Sequence, residues 1–163
     1  MNFQAFENYI QGLCANHIDL RDGLGGRRSY MKLFSDDELN SIANIPNKYI
    51  VITENVTAST IGTLDENKFA QQWTLSFLGK AEVISSDPTL SRDNVIENAW
   101  QIMMQFIAKM WIDWNDGCGP LKGLSAKMNW RIVEDMQLEH HYGWELQLTQ
   151  IITAPAYDPS KWI

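Results

Sequence analysis

Residues 72–83 alternate apolar and polar side chains with a period of two. Trp73, Leu75, Phe77, Gly79, Ala81 and Val83 share one side; Gln72, Thr74, Ser76, Lys80 and Glu82 share the other, with Leu78 the apolar exception. A period of two belongs to a strand with one buried face. Residues 95–114 repeat apolar side chains at helical spacing instead. Their inward stripe reads Val95, Ile96, Ala99, Ile102, Met103, Phe106, Met110 and Trp114, the spacing of an amphipathic helix. A half-buried sheet and one long amphipathic helix bury their apolar faces against each other, so the expected class is α+β.

The remaining elements are placed around that pair. Residues 2–17 read as a helix, with Phe3, Phe6, Ile10, Leu13 and Cys14 on its apolar face. Asp22–Gly23 and Gly25–Gly26 are turn chemistry, and 30–34 is either a short strand or a connector. Ser35 with Glu38 three residues on forms a capping box ahead of a short helix that ends at Pro46. Residues 48–56, rich in β-branched side chains, read as a strand with both faces covered, paired antiparallel with 72–83 across a polar loop or hairpin tip at 57–67. Ser91 and Asp93 suit the start of the long helix, and Gly117 and Gly119–Pro120 its end. Residues 127–138 alternate again, with Met128, Trp130 and Ile132 inward. After a turn at 139–143, a last strand carries Trp144, Leu146 and Leu148 inward. The expected architecture is an antiparallel sheet of about four main strands packed against one long helix, with an N-terminal helix and a closing C-terminal hairpin. Residues 1–152 form one domain and 153–163 an extended arm.

Composition narrows the functions. The formal net charge of the 163 residues is −7, which disfavours capture of nucleic acid through phosphates. The one compact basic cluster is Arg27, Arg28 and Lys32. Cys14 and Cys118 have neither disulfide-framework nor metal spacing, and a reducing cytoplasm is expected. Residues 1–10 carry Glu7 and no basic region ahead of an apolar run, unlike a signal peptide. The segment 99–114 is interrupted by Gln101, Gln105, Lys109 and Asp113 and falls short of a membrane span.

Candidate chemistry is sparse. His140 and His141 are adjacent, so on a strand or turn they point to opposite sides and read as surface turn residues. The sequence contains no His-x-x-x-His or Cys-x-x-Cys pair. Residues 113–117 lack the glycine position and terminal Glu of a calcium loop, and 23–28 lack the Gly-Lys-Ser/Thr element of a phosphate loop. Glu134, Asp135, Glu139 and Glu145 fall in or near the last hairpin, where acidic side chains serve solubility more often than acid–base chemistry. No metal, cofactor or catalytic residue is expected, and the protein is not expected to be an enzyme.

Seven Trp, six Phe and five Tyr are more large aromatics than a lone core of this size needs. Trp100, Trp111, Trp114, Trp130 and Trp144 are assigned to the core; Trp100 and Trp111 fall at the edge of the inward stripe, where an indole can alternatively anchor a partner. The arm, with Tyr157, Trp162 and Ile163, docks either on its own domain or on a neighbour.

The order of elements, closed by the Gly143-Trp144-Glu145-Leu146-Gln147-Leu148 hairpin strand, resembles the tail-terminator and tail-completion proteins of tailed bacteriophages, a head–tail connector family. The resemblance covers most of the chain and is one of layout, without a diagnostic motif. The segment 19–45 and the arm 157–163 go beyond the family pattern. The resemblance implies a structural virion subunit that forms a ring, typically a hexamer, at the tail–head junction. It implies partners in itself, the tail-tube protein and the head-connector protein, with DNA passing through the ring. It implies assembly in the host bacterial cytoplasm, no membrane partner, and no sequence-specific nucleic-acid binding. Contacts between copies are expected from the loop between the first main strands and from the arms, through Thr57, Thr60, Leu64, Tyr157, Trp162 and Ile163, with Trp100 and Trp111 of the long helix as further candidates. The alternative reading is a small cytoplasmic accessory protein that binds a ligand or partner without catalysis.

Overall fold

A computed structural model describes residues 3–20, 29–32, 49–54, 56–61, 68–82, 86–117, 119–133, 140–153 and 160. The chain forms α1 (Phe3–Asn16), β1 (Tyr30–Lys32), β2 (Tyr49–Thr53), β3 (Thr57–Ile61), β4 (Lys68–Lys80), α2 (Arg92–Asn115), β5 (Asn129–Val133) and β6 (His141–Thr153), with single 3-10 turns at Pro88–Leu90 and Gly119–Leu121. The class is α+β, as expected. The sheet is larger than expected: it has six strands, not about four, in the order β1-β2-β4-β6-β5, with β3 also paired to β4. It is mixed, not purely antiparallel, because β1 runs parallel to β2.

β4 and β6 are the axis of the sheet. Both are 13 residues long, and they pair without interruption from Lys68↔Thr153 to Lys80↔His141. The alternation in β4 sends Trp73, Leu75 and Phe77 to one side, where they meet Leu148, Leu146 and Trp144 across the strand pair. Phe6 and Ile10 of α1 and Ile102, Met103, Phe106 and Met110 of α2 cover this face and form one buried cluster with it. The Phe6 ring lies 4.4 Å from Trp73 and the Phe106 ring meets Phe77 edge-on at 5.1 Å. Cys14 belongs to the same core, as its spacing implied. All five residues of β2 are buried, so both faces of that strand are covered.

The stretch at 57–67 is not simply a loop. Its first five residues form β3, which pairs with 68–72 of β4, and 62–67 lie outside the described residues. β2 and β3 thus share one edge of β4. The register moves from Thr53↔Leu75 to Thr57↔Gln72, so the two strands are offset from each other by one residue along β4. The short helix expected after Ser35 also lies outside the described residues.

α2 begins where its caps predict. The Ser91 hydroxyl accepts from the Asn94 N–H, and Asp93 stands in the first turn. The helix ends with Gly117 at φ 78°, a left-handed conformation that glycine adopts without a Cβ penalty. The following segment is laid against β6: the Ile151 N–H donates to Gly123 O and the Ser125 N–H to Thr149 O, both at 2.8 Å. The buried Gln150 amide donates to Pro120 O and Lys122 O, satisfying carbonyls of the same segment.

Candidate functional site

α2 carries a second apolar stripe beside the one that faces the core. Trp100, Met104, Ile107, Trp111 and Trp114 recur at four- and three-residue steps, which places them on one side of the helix. This side faces β5. Trp100 is half-buried, 4.6 Å from Trp144 and 6.0 Å from Trp130 between ring centroids. Trp144 is fixed by an indole N–H donated to Ile96 O at 3.1 Å. The stripe becomes exposed toward the C-terminal end of α2. Trp111 and Trp114 are each 40% exposed. Trp111 and Trp114 stand edge to face at 6.2 Å. With Met110 they form one wall of a shallow groove whose other wall is Leu124, Ala126 and Met128.

β5 continues this surface. Trp130 and Ile132 pair with Leu146 and Trp144, so they do point toward the helical side, as the alternation predicts. They are nevertheless 47% and 46% exposed. α2 packs over β4 and β6, and β5 is the last strand of the sheet beyond that cover. Among the described residues, β6 is the only strand hydrogen-bonded to β5.

The opposite face of the same strands is polar. Glu145 is 4% exposed; it accepts from the Arg131 guanidinium at 2.8 Å and from the Gln147 amide at 2.9 Å. Ser76, its partner across β4, donates its hydroxyl to Glu54. Burial pushes the Glu54 carboxyl above the usual range, and the nearby Glu145 charge adds to this. Two carboxylates, one hydroxyl and one guanidinium therefore share a patch, with the buried Glu145 answered by donors. A charge so answered is compatible with burial without catalytic work.

Elsewhere, Lys32 of β1 pairs with the buried Glu7 of α1. The Tyr9 hydroxyl donates to Asp113 at 2.8 Å, and Lys109 pairs with the same carboxylate. These two partners hold Asp113 below the usual carboxylate range, in a last helical turn whose dipole disfavours an anion. Burial pushes the Cys14 thiol up to about 12, which suppresses the thiolate that reactivity requires. His141, expected in a surface turn, is buried in the first position of β6, whereas His140 is exposed at φ 65°.

The residues expected at contacts divide as follows. Thr57 and Thr60 are exposed on β3. Trp111 is exposed on α2, whereas Trp100 is engaged in the indole cluster. Leu64, Tyr157, Trp162 and Ile163 lie outside the described residues. Trp111, Trp114 and Trp130, assigned to the core, instead stand with Ile132 at the surface. The signal that could have exposed them was strand order, which alternation alone does not carry.

Among the described residues, no group of three or more His, Cys, Asp or Glu side chains is arranged to hold a metal ion. No described helix is long and apolar enough to cross a membrane. The sequence matches no protein-family model, and no curated protein matches it significantly.

Proposed function

We propose that the protein is a structural, non-catalytic subunit that works by assembling with copies of itself. In its specific form we infer a ring-forming tail-terminator or neck subunit at a phage tail–head junction, with tail-tube and head-connector proteins as neighbours and DNA passing through the ring. The observation that carries the assembly reading is the concentration of half-exposed indole and aliphatic side chains on α2 and β5. A soluble monomer rarely leaves so contiguous an apolar surface uncovered, and Trp is enriched where binding energy is concentrated. The specific form rests on the resemblance in layout set out above.

The accessory-protein alternative draws on the groove between Trp111, Trp114 and Met128. Its enclosed volume of about 10 Å³ is far below the ~300–1,000 Å³ typical of small-molecule sites.

Multi-angle light scattering of the purified protein, with electron microscopy of the same fractions, tests the assembly reading. A discrete oligomer with annular particles is the expected result. A protein that stays at 18.7 kDa across the micromolar range, alone and with tail-tube and connector proteins, overturns it.

A further inference from the structure

We propose that the open cavity between the turn after α1 and the middle of α2 binds a small organic cation, a primary ammonium on a short aliphatic stem. The site stands apart from the indole surface of α2 and β5, and neither reading depends on the other.

The cavity holds about 310 Å³, at the lower end of the ~300–1,000 Å³ of small-molecule sites. At ~30 Å³ each, about ten waters fill it. Its described walls come from three parts of the chain: Asp19 of the turn, Tyr49 of β2, and Asn98, Gln101 and Ile102 of α2.

Each wall is set by what packs behind it. Leu20 is buried in the core, and its N–H donates to His17 O, which closes the turn. The His17 ring lies 5.7 Å from Phe106 and bonds Gln105 Oε1 through Nε2 at 2.9 Å. Its Nδ1 accepts the Asp19 N–H at 3.2 Å. Asp19 is thereby held at the opening with its side chain 54% exposed. Tyr49 is placed by Gly79, its partner across β2 and β4. A Cβ at Gly79 would stand 2.5 Å from Tyr49 Cε1, so the glycine leaves the room in which the aromatic ring covers the strand. The Tyr49 hydroxyl then stands against the Asn98 side chain. Asn98, Gln101 and Gln105 recur at steps of three and four, which puts a polar stripe on one side of α2 beside the buried Ile102 and Phe106.

Hydrogen-bonding capacity selects the ligand. The Gln101 amide nitrogen donates to Glu97, which leaves its oxygen to accept. The Asp19 carboxylate accepts only. Its neighbour at 3.9 Å, His17 Nδ1, already accepts a backbone N–H, so it bears no proton to offer. None of the described lining residues is Lys or Arg. Burial pushes the Tyr49 hydroxyl above its usual range; Asn98 partly offsets this and the Asp19 charge adds to it. Tyr49 therefore stays a neutral phenol. The walls thus carry an excess of acceptors and one negative charge without a cation beside it. An anion is repelled by Asp19. A neutral polyol brings as many acceptors as donors, and its acceptors find few partners here. An ammonium brings three donors and no acceptor, and its bond to a carboxylate is about twice as strong as a neutral one. Ile102 and the Tyr49 ring give the stem an apolar floor. The net charge of −7 raises the local concentration of such a cation.

The same ammonium is carried by a free amine and by a lysine side chain of a partner polypeptide, and one titration separates the two. Two-dimensional NMR spectra of the full chain are followed with diaminobutane, with α-acetyl-lysine methylamide, and with butanediol as the uncharged match, all at one ionic strength. At least one amine should shift the side-chain amide signals of Asn98 and Gln101 to saturation, and butanediol should bind at least tenfold more weakly. The tighter of the two amines names the source. Asp19→Asn should weaken amine binding at least tenfold. Asp116→Asn removes the same charge at the far end of α2 and should leave binding unchanged. Gln101→Lys sets a tethered ammonium in the wall and should abolish it. Butanediol binding as tightly as the amines, equal losses in the two aspartate variants, full binding by Gln101→Lys, or no saturable shift with either amine overturns the assignment. Each of these leaves the assembly reading standing, because none of them measures association.

Discussion

Glu54 is a carboxylate held against its chemical preference. Burial raises its pKa most, Glu145 raises it further, and the Ser76 hydroxyl and Arg131 only partly offset these effects. A group whose folded pKa lies above its unfolded value favours folding at pH below the unfolded pKa and loses that contribution as pH rises through the folded one. Glu54→Gln keeps an acceptor for Ser76 and removes the charge. It is expected to stabilise the protein at neutral pH by up to about 1 kcal/mol, kept small by partial exposure. The gain should disappear below about pH 4, where the unfolded chain also protonates its glutamates. Denaturant titrations of both proteins at several pH values check this, and a gain that grows toward low pH contradicts it. Cys14 is the opposite case, a side chain that the sequence already explained. Its helical spacing put it among Phe6 and Ile10, and that apolar setting keeps its thiol protonated.

At the scale of elements, two glycines separate backbone freedom from packing. Gly12 lies inside α1 with no heavy atom within 4 Å of where a Cβ would stand. Gly12→Ala should therefore stabilise the protein by about 0.5–1 kcal/mol through helix propensity and reduced unfolded-state entropy. At Gly143 a Cβ would stand 1.9 Å from Phe77 O and 3.0 Å from its carbonyl carbon, atoms of the central β4–β6 ladder. Gly143→Ala must push those strands apart and should cost at least about 1–3 kcal/mol, the range for overpacked cores. Thermal denaturation of the two variants should move in opposite directions. The sequence was legible wherever a local period decided the outcome. β4, α2 and the sidedness of Trp130 and Ile132 follow from spacing, and Ser91 marks its helix start by chemistry. It was silent where a non-local neighbour decided. β3, Thr-Ala-Ser-Thr-Ile, has no apolar alternation and forms because 68–72 of β4 is beside it. β1 has three residues and a parallel partner that is distant in sequence. The exposure of Trp114, Trp130 and Ile132 depends on how far α2 covers the sheet, which no window of residues encodes.

At the scale of the molecule, the balance of forces in the proposed assembly has a direct consequence. Its attractive part is apolar, and its chief opposition is the repulsion between two chains of charge −7. Salt shortens the screening length from ~30 Å at 0.01 M to ~10 Å at 0.1 M and ~3 Å at 1 M, which weakens the repulsion. Apolar burial is not weakened by such screening. The association constant of the wild type should therefore rise with sodium chloride between 0.01 and 0.5 M, in the range where screening acts most strongly. An interface built on ion pairs would loosen instead. Sedimentation equilibrium across that range distinguishes the two, and dissociation at high salt would show that charge, rather than the indoles of α2 and β5, holds the copies together.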